Sequence, residues 1–86
     1  MIIGINKVFT HEGTEYHLQA EDLGQEAAVF EVRVYDHGTV VWQKRLSYAD
    51  LQAQELPKQE YDQALRAQME KTLFTVEAAI AKGKIG

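Results

Sequence analysis

Between Lys58 and Lys82 the sequence contains neither glycine nor proline, whereas the stretch before it is cut by Gly13, Gly24 and Gly38. So long a run without a breaker, rich in Ala, Glu, Gln, Leu and Lys, predicts one long helix. Pro57 is the single proline. It pushes Leu56 toward an extended conformation and itself suits the first turn of a helix, so the helix is placed over residues 57–82. Gly83 ends it, and Glu60 and Asp62 near its start with Lys82 at its end suit the macrodipole. Such a helix is ~39 Å long, against ~27 Å for a strand of about eight residues, so part of it overhangs whatever sheet it covers.

The first half alternates instead of cycling. Strands are predicted at about 3–10, 15–22, 28–35 and 39–47, separated by His11-Glu12-Gly13-Thr14, Leu23-Gly24-Gln25-Glu26 and Asp36-His37-Gly38. These links are too short for crossovers to parallel partners, so the strands form an antiparallel meander in the order 1-2-3-4. Ser47-Tyr48-Ala49-Asp50 resembles a capping box with a shorter acid and predicts a brief helix before Pro57. The expectation is an α+β fold: a four-stranded antiparallel β-meander packed on one face by the long C-terminal α-helix, as one domain over residues 1–86.

Alternation assigns the faces. Tyr16, Leu18, Ala20, Phe30, Val32 and Val34 point to the helix, joined by Val40, Trp42 and Leu46 from strand four, with Trp42 as the central core residue. His17, Gln19, Glu21, Val29, Glu31, Arg33, Tyr35, Val41, Gln43 and Arg45 point outward. A three-residue link Asp36-His37-Gly38 would set Tyr35 opposite Thr39 and Val32 opposite Trp42, leaving Glu31 diagonal to Arg45. The first link has two readings: a four-residue link pairs Phe9 with Tyr16 and buries it, while a three-residue link turns Ile5 and Phe9 outward. Burial of Phe9 is favoured, since it puts more apolar area in the core. Lys7 and Lys44 interrupt the inward pattern on the two edge strands, a placement that discourages sheet-to-sheet aggregation.

Composition narrows the chemistry. With 86 residues and no cysteine, thiolate nucleophiles, disulfides, thiolate zinc and iron–sulfur sites drop out. A reducing, cytoplasmic setting is compatible with that. A net charge of −4 disfavours general binding to phosphate backbones. No apolar run is long enough for a membrane span or signal peptide. His11, His17 and His37 are too scattered for a metal triad. No catalytic triad, phosphate-cradling loop or dinucleotide fingerprint occurs, and every acid is expected on a turn or a solvated face. Neither an enzyme nor a cofactor is expected.

On the helix, Tyr61, Leu65, Met69, Thr72, Leu73, Val76 and Ile80 form the stripe that seeks the sheet. Asp62, Arg66 and Glu70 line a solvated flank. Phe74 falls nearly opposite the stripe among Ala67, Ala78 and Ala81, residues too small to obstruct a close approach, and marks a candidate partner surface. A second candidate is the outer sheet face at Val29, Arg33, Tyr35, Val41 and Arg45. The expected activity is protein interaction, with a second copy of the chain as the expected partner in a homodimer. The alternative is single-stranded nucleic-acid binding, with Arg33, Arg45, Tyr35, His17, Gln19 and Gln43 stacking and hydrogen-bonding bases, although Glu15, Glu21 and Glu31 on the same face oppose it.

Two resemblances attach to these residues. The order of four strands then a helix looks like the single-stranded DNA-binding coactivator fold, without that family's basic β-ribbon. The run Gly13-Thr14-Glu15-Tyr16-His17-Leu18-Gln19-Ala20-Glu21-Asp22, followed by Gly24, is similar to a Tyr-His-x-Gln-x-Glu-Asp run in small uncharacterised bacterial proteins. That second resemblance implies no activity and transfers no binding residue.

Overall fold

The computed structural model describes residues 4–85. Strands β1 (Gly4–His11), β2 (Thr14–Asp22), β3 (Val29–Asp36) and β4 (Thr39–Ser47) are followed by α1 (Ala49–Ala53) and α2 (Lys58–Ala81). The strands form one antiparallel sheet in the order β1-β2-β3-β4. The architecture is therefore the expected α+β meander with a long C-terminal helix. The start expected for the first strand, Ile3, lies outside the described residues.

Both outer hairpins close on two-residue turns. His11 pairs with Thr14 across Glu12-Gly13, and Asp36 pairs with Thr39 across His37-Gly38. All four turn residues have positive φ (49° and 81°, then 51° and 81°), the mark of a type I′ turn, whose twist matches that of the strands it joins. The first turn sets Phe9 opposite Tyr16, the register that directs Phe9 inward. The second corrects the expected three-residue link. A bulge leaves Val41 without a partner between the Val34–Trp42 and Tyr35–Val40 pairs, so Val32 meets Lys44 and Glu31 stands directly opposite Arg45.

The inner face buries Tyr16, Leu18, Ala20, Phe30, Val32 and Val34 against Leu65, Met69, Leu73, Val76 and Ile80 of α2. Each large side chain removed from water here contributes about 1.5–3 kcal/mol. Trp42 is not the centre of this core. It packs half-buried at the margin, and Val40, also expected inside, is 42% exposed. The helix runs closest to β1 and β2, so the far edge at β4 is thinly covered, and the bulge turns Val40 outward.

The cap of the core comes instead from Tyr48 and Leu51, both buried. Ser47 Oγ accepts a hydrogen bond from Ala49 N at 3.2 Å, but the N-cap of α1 is Tyr48 and no side chain caps it, so the capping box expected over Ser47–Asp50 does not form. At the other end of α2, Gly83 N bonds to Ile80 O and Lys84 N to Ala79 O at 3.0 and 2.9 Å, and Gly83 holds φ +74°. This is a Schellman close, which satisfies the last helical carbonyls. The molecule measures 43 × 18 × 18 Å, its long axis comparable with the ~36 Å of α2.

Candidate functional site

Phe74 projects from α2 with 71% of its surface exposed. It does not stand on the far side of the helix, as the wheel suggested. It sits on the flank beside edge strand β1, because α2 lies over that side of the sheet. An open groove of about 330 Å³ runs from Phe74 past Ala78 and Ala81 to Phe9 and Glu77. On its other side a second groove, about 280 Å³, is bounded by Ile5, Asn6, Lys7, Glu70 and Leu73. The structure thus brings Phe74, Ala78 and Ala81 together with Phe9. Ala67, two helical turns away, is exposed but lines neither groove.

Lys7 organises this flank. Its inward position on β1 leads it onto the helix, where Nζ pairs with Glu77 Oε1 at 2.5 Å and lies 5.7 Å from the centre of the Phe74 ring. Opposite charge and an aromatic face together hold the ammonium down. The spacing of Phe74 and Glu77, three apart on one helix face, beside a lysine that breaks an apolar alternation, is the sequence signal that joins these residues.

The outer sheet face carries a polar network centred on Glu31, in which the buried Arg33 Nε is left without a partner. Glu31, 7% exposed, takes Arg33 Nη2 at 2.6 Å and Arg45 Nε at 3.0 Å. The hydrogen bond from Arg45, with help from the charge of Arg33, holds the Glu31 carboxyl below its ordinary range against the opposing effect of burial. Arg33 Nη1 reaches Tyr35 Oη at 3.5 Å, and that hydroxyl donates to Gln19 Oε1 at 3.4 Å. Val29 lies at one end of the face opposite Ser47, while Val41 sits on the bulge toward the other end. No continuous apolar surface joins these two. The face expected as a second partner surface is therefore occupied largely with itself.

Two acids expected in solvent are buried, which corrects the reading of every acid as solvated: Glu31 as above, and Asp22, 3% exposed. Asp22 Oδ1 accepts Gly24 N at 3.0 Å and the Tyr48 hydroxyl at 2.5 Å, and the Gly24 carbonyl lies 3.0 Å from the same hydroxyl. Burial, then the hydrogen bond to Asp22, raises the Tyr48 pKa strongly, so the phenol stays protonated. Tyr61 packs edge-on against Tyr48 with ring centres 6.4 Å apart. Its own buried oxygen is near enough to reinforce that rise, yet it falls short of hydrogen-bond geometry with any partner. In the motif of residues 16–22, Asp22 is thus a structural acid.

The histidines stay apart. His11 stacks on Phe9 at 6.3 Å, His17 meets Glu15 at 3.1 Å and His37 meets Asp36 at 2.5 Å. Among the described residues no group of three or more His, Cys, Asp or Glu is arranged to hold a metal ion. No described helix is long and apolar enough to cross a membrane. Another open groove, about 350 Å³, lies between α1 and α2 and is lined by Gln25, Gln52, Glu55, Leu56, Lys58 and Tyr61, and one of about 330 Å³ lies at the β4 side of the sheet beside Glu31, Gln43, Lys44 and Arg45. Comparison with protein-family models, curated proteins and solved structures finds no match.

Proposed function

We propose that this protein is a small binding module that associates with a second copy of itself through the flank formed by β1 and α2, acting in the cytoplasm as an interaction protein rather than a catalyst. The observation that carries this reading is the exposure of Phe74 next to a groove bordered by Phe9, Ala78 and Ala81. An aromatic ring that large, held in water beside apolar walls, gains most by being covered. The outer sheet face competes poorly for the role, since covering it would desolvate the charged cluster of Arg33, Arg45 and Glu31, in which Arg33 Nε already lacks a partner. The same commitment of both arginines to Glu31 weighs against nucleic-acid binding there.

The test is solution mass by light scattering or sedimentation at high micromolar concentration. A dimer is expected for the native sequence and a monomer for Phe74→Asp. A native sequence that remains monomeric throughout that range would remove the reading.

A further inference from the structure

We infer that β1 is the edge through which two copies join, pairing antiparallel about a twofold axis at Val8 to give one continuous eight-stranded sheet with the two α2 helices side by side on one face. This rests on the self-association reading and supplies its geometry.

The type I′ turn at Glu12-Gly13 makes His11 and Thr14 a hydrogen-bonded pair, so the alternate residues His11, Phe9, Lys7 and Ile5 bond to β2. The backbone N–H and C=O groups of Gly4, Asn6, Val8 and Thr10 therefore face the open edge. An edge of this kind is a template for another strand unless something guards it. The two edges of this sheet differ in that respect. On β4 the bulge at Val41 interrupts the row, and Lys44 is exposed with no ion pair among the described residues. On β1 the corresponding guard, Lys7, is drawn onto α2 by Glu77 and Phe74, which leaves the backbone row accessible. With one usable edge per molecule, pairing closes as a dimer and does not propagate.

The register follows from charge and length. Pairing centred on Lys7 would place Lys7 opposite the partner's Lys7, and pairing centred on Phe9 would place Lys7 opposite the partner's His11. The first sets like charges face to face, and the second overlaps only residues 7–11 of the two strands, as a centre at Asn6 overlaps only 4–8, against 5–11 for a centre at Val8. Centring on Val8 sets Lys7 against the partner's Phe9, Ile5 against the partner's His11 and Asn6 against the partner's Thr10. Val8, 53% exposed, then meets the partner's Val8 on the outer face. The hydrogen-bonded pairs Val8–Val8, Asn6–Thr10 and Thr10–Asn6 supply about six new backbone hydrogen bonds.

Helix spacing agrees. Strands lie ~4.8 Å apart, so a helix running over β1 and β2 stands ~5 Å from such an axis. Two helices then lie ~10 Å apart, the upper end of ordinary helix packing distances. Phe74, Ala78 and Ala81 face that seam, where the alanines admit a close approach and the groove beside Phe9 receives the opposing flank.

The experiment uses the full chain, which has no native cysteine. Paired Val8 Cα atoms would stand ~5.5 Å apart, inside the range a disulfide spans. Val8→Cys is expected to form a covalent dimer under mild oxidation, while Gln43→Cys on β4 stays monomeric under the same treatment. Val8→Pro removes an N–H that bonds nothing within the protomer, and it is expected to keep the circular dichroism of the native chain while weakening association about tenfold or more. A dimer that cross-links poorly at position 8, or a folded Val8→Pro chain that dimerises as tightly as the native one, overturns the edge pairing; loss of that dimer on Phe74→Asp would then leave the Phe74 reading standing. A monomeric native chain removes both. Should Val8→Pro fail to fold, the cross-link alone decides.

Discussion

The hydroxyl of Tyr48 joins the end of β2 to the start of the helical half, because it donates to a carboxylate that has lost nearly all its water. Tyr48→Phe leaves the ring in place and deprives Asp22 of that donor. It is expected to cost about 1–3 kcal/mol, seen as a lower urea midpoint with an unchanged slope. Glu31 gives a pH signature with a definite sign. Its folded pKa lies below the ordinary 4.5, so its contribution is complete above that pH and is lost as the pH falls through the lower folded value. Glu31→Gln is expected to flatten the fall in stability below about pH 4.5, read from urea midpoints across the acid range. Neither site was legible in the sequence. Tyr48 and Asp22 are 26 residues apart, and Glu31 meets Arg45 head-on only because a bulge shifts β4, so no local pattern carries either contact.

At the level of elements, what is periodic was legible and what depends on turn geometry was not. The inner faces of β2 and β3 and the buried stripe of α2 follow from alternation and from the 3.6-residue repeat, which act within a few residues. The β3–β4 register depends on a two-residue turn in which His37 and Gly38 both take positive φ and on the bulge at Val41, and with only Gly38 expected to be left-handed the tighter turn was hidden behind an expected three-residue link. The pairing of Phe9 with Tyr16 was legible because the core needed its area. The end of α2 was legible through Gly83, whose φ of +74° admits the Schellman close. Gly83→Ala forces a β-carbon into that conformation and is expected to cost about 1 kcal/mol. Thermal unfolding of an 86-residue chain would show it as a fall in Tm of about 4–8 °C.

Over the whole molecule, coverage is lopsided. The helix shelters β1 and β2, a single tyrosine and a short helix close one end, and β4 is left at the margin. That imbalance explains why Phe74, Ala78 and Ala81 could be singled out from the sequence while their neighbours Phe9 and Lys7 on β1 could not: a helical wheel shows which residues avoid the core stripe, but not which strand the helix leans toward. Since Phe74 is so exposed, Phe74→Asp is expected to change the stability of the isolated protomer by no more than about 0.5 kcal/mol, measured by urea unfolding at a concentration low enough to dissociate any dimer. An effect confined to association separates a docking residue from a packing residue.

The lone indole, Trp42, stands half-buried on the strand farthest from β1. Its fluorescence therefore reads the melting of the sheet and is silent to events at the opposite border. The chain carries its own optical gauge of folding, placed away from the proposed seam.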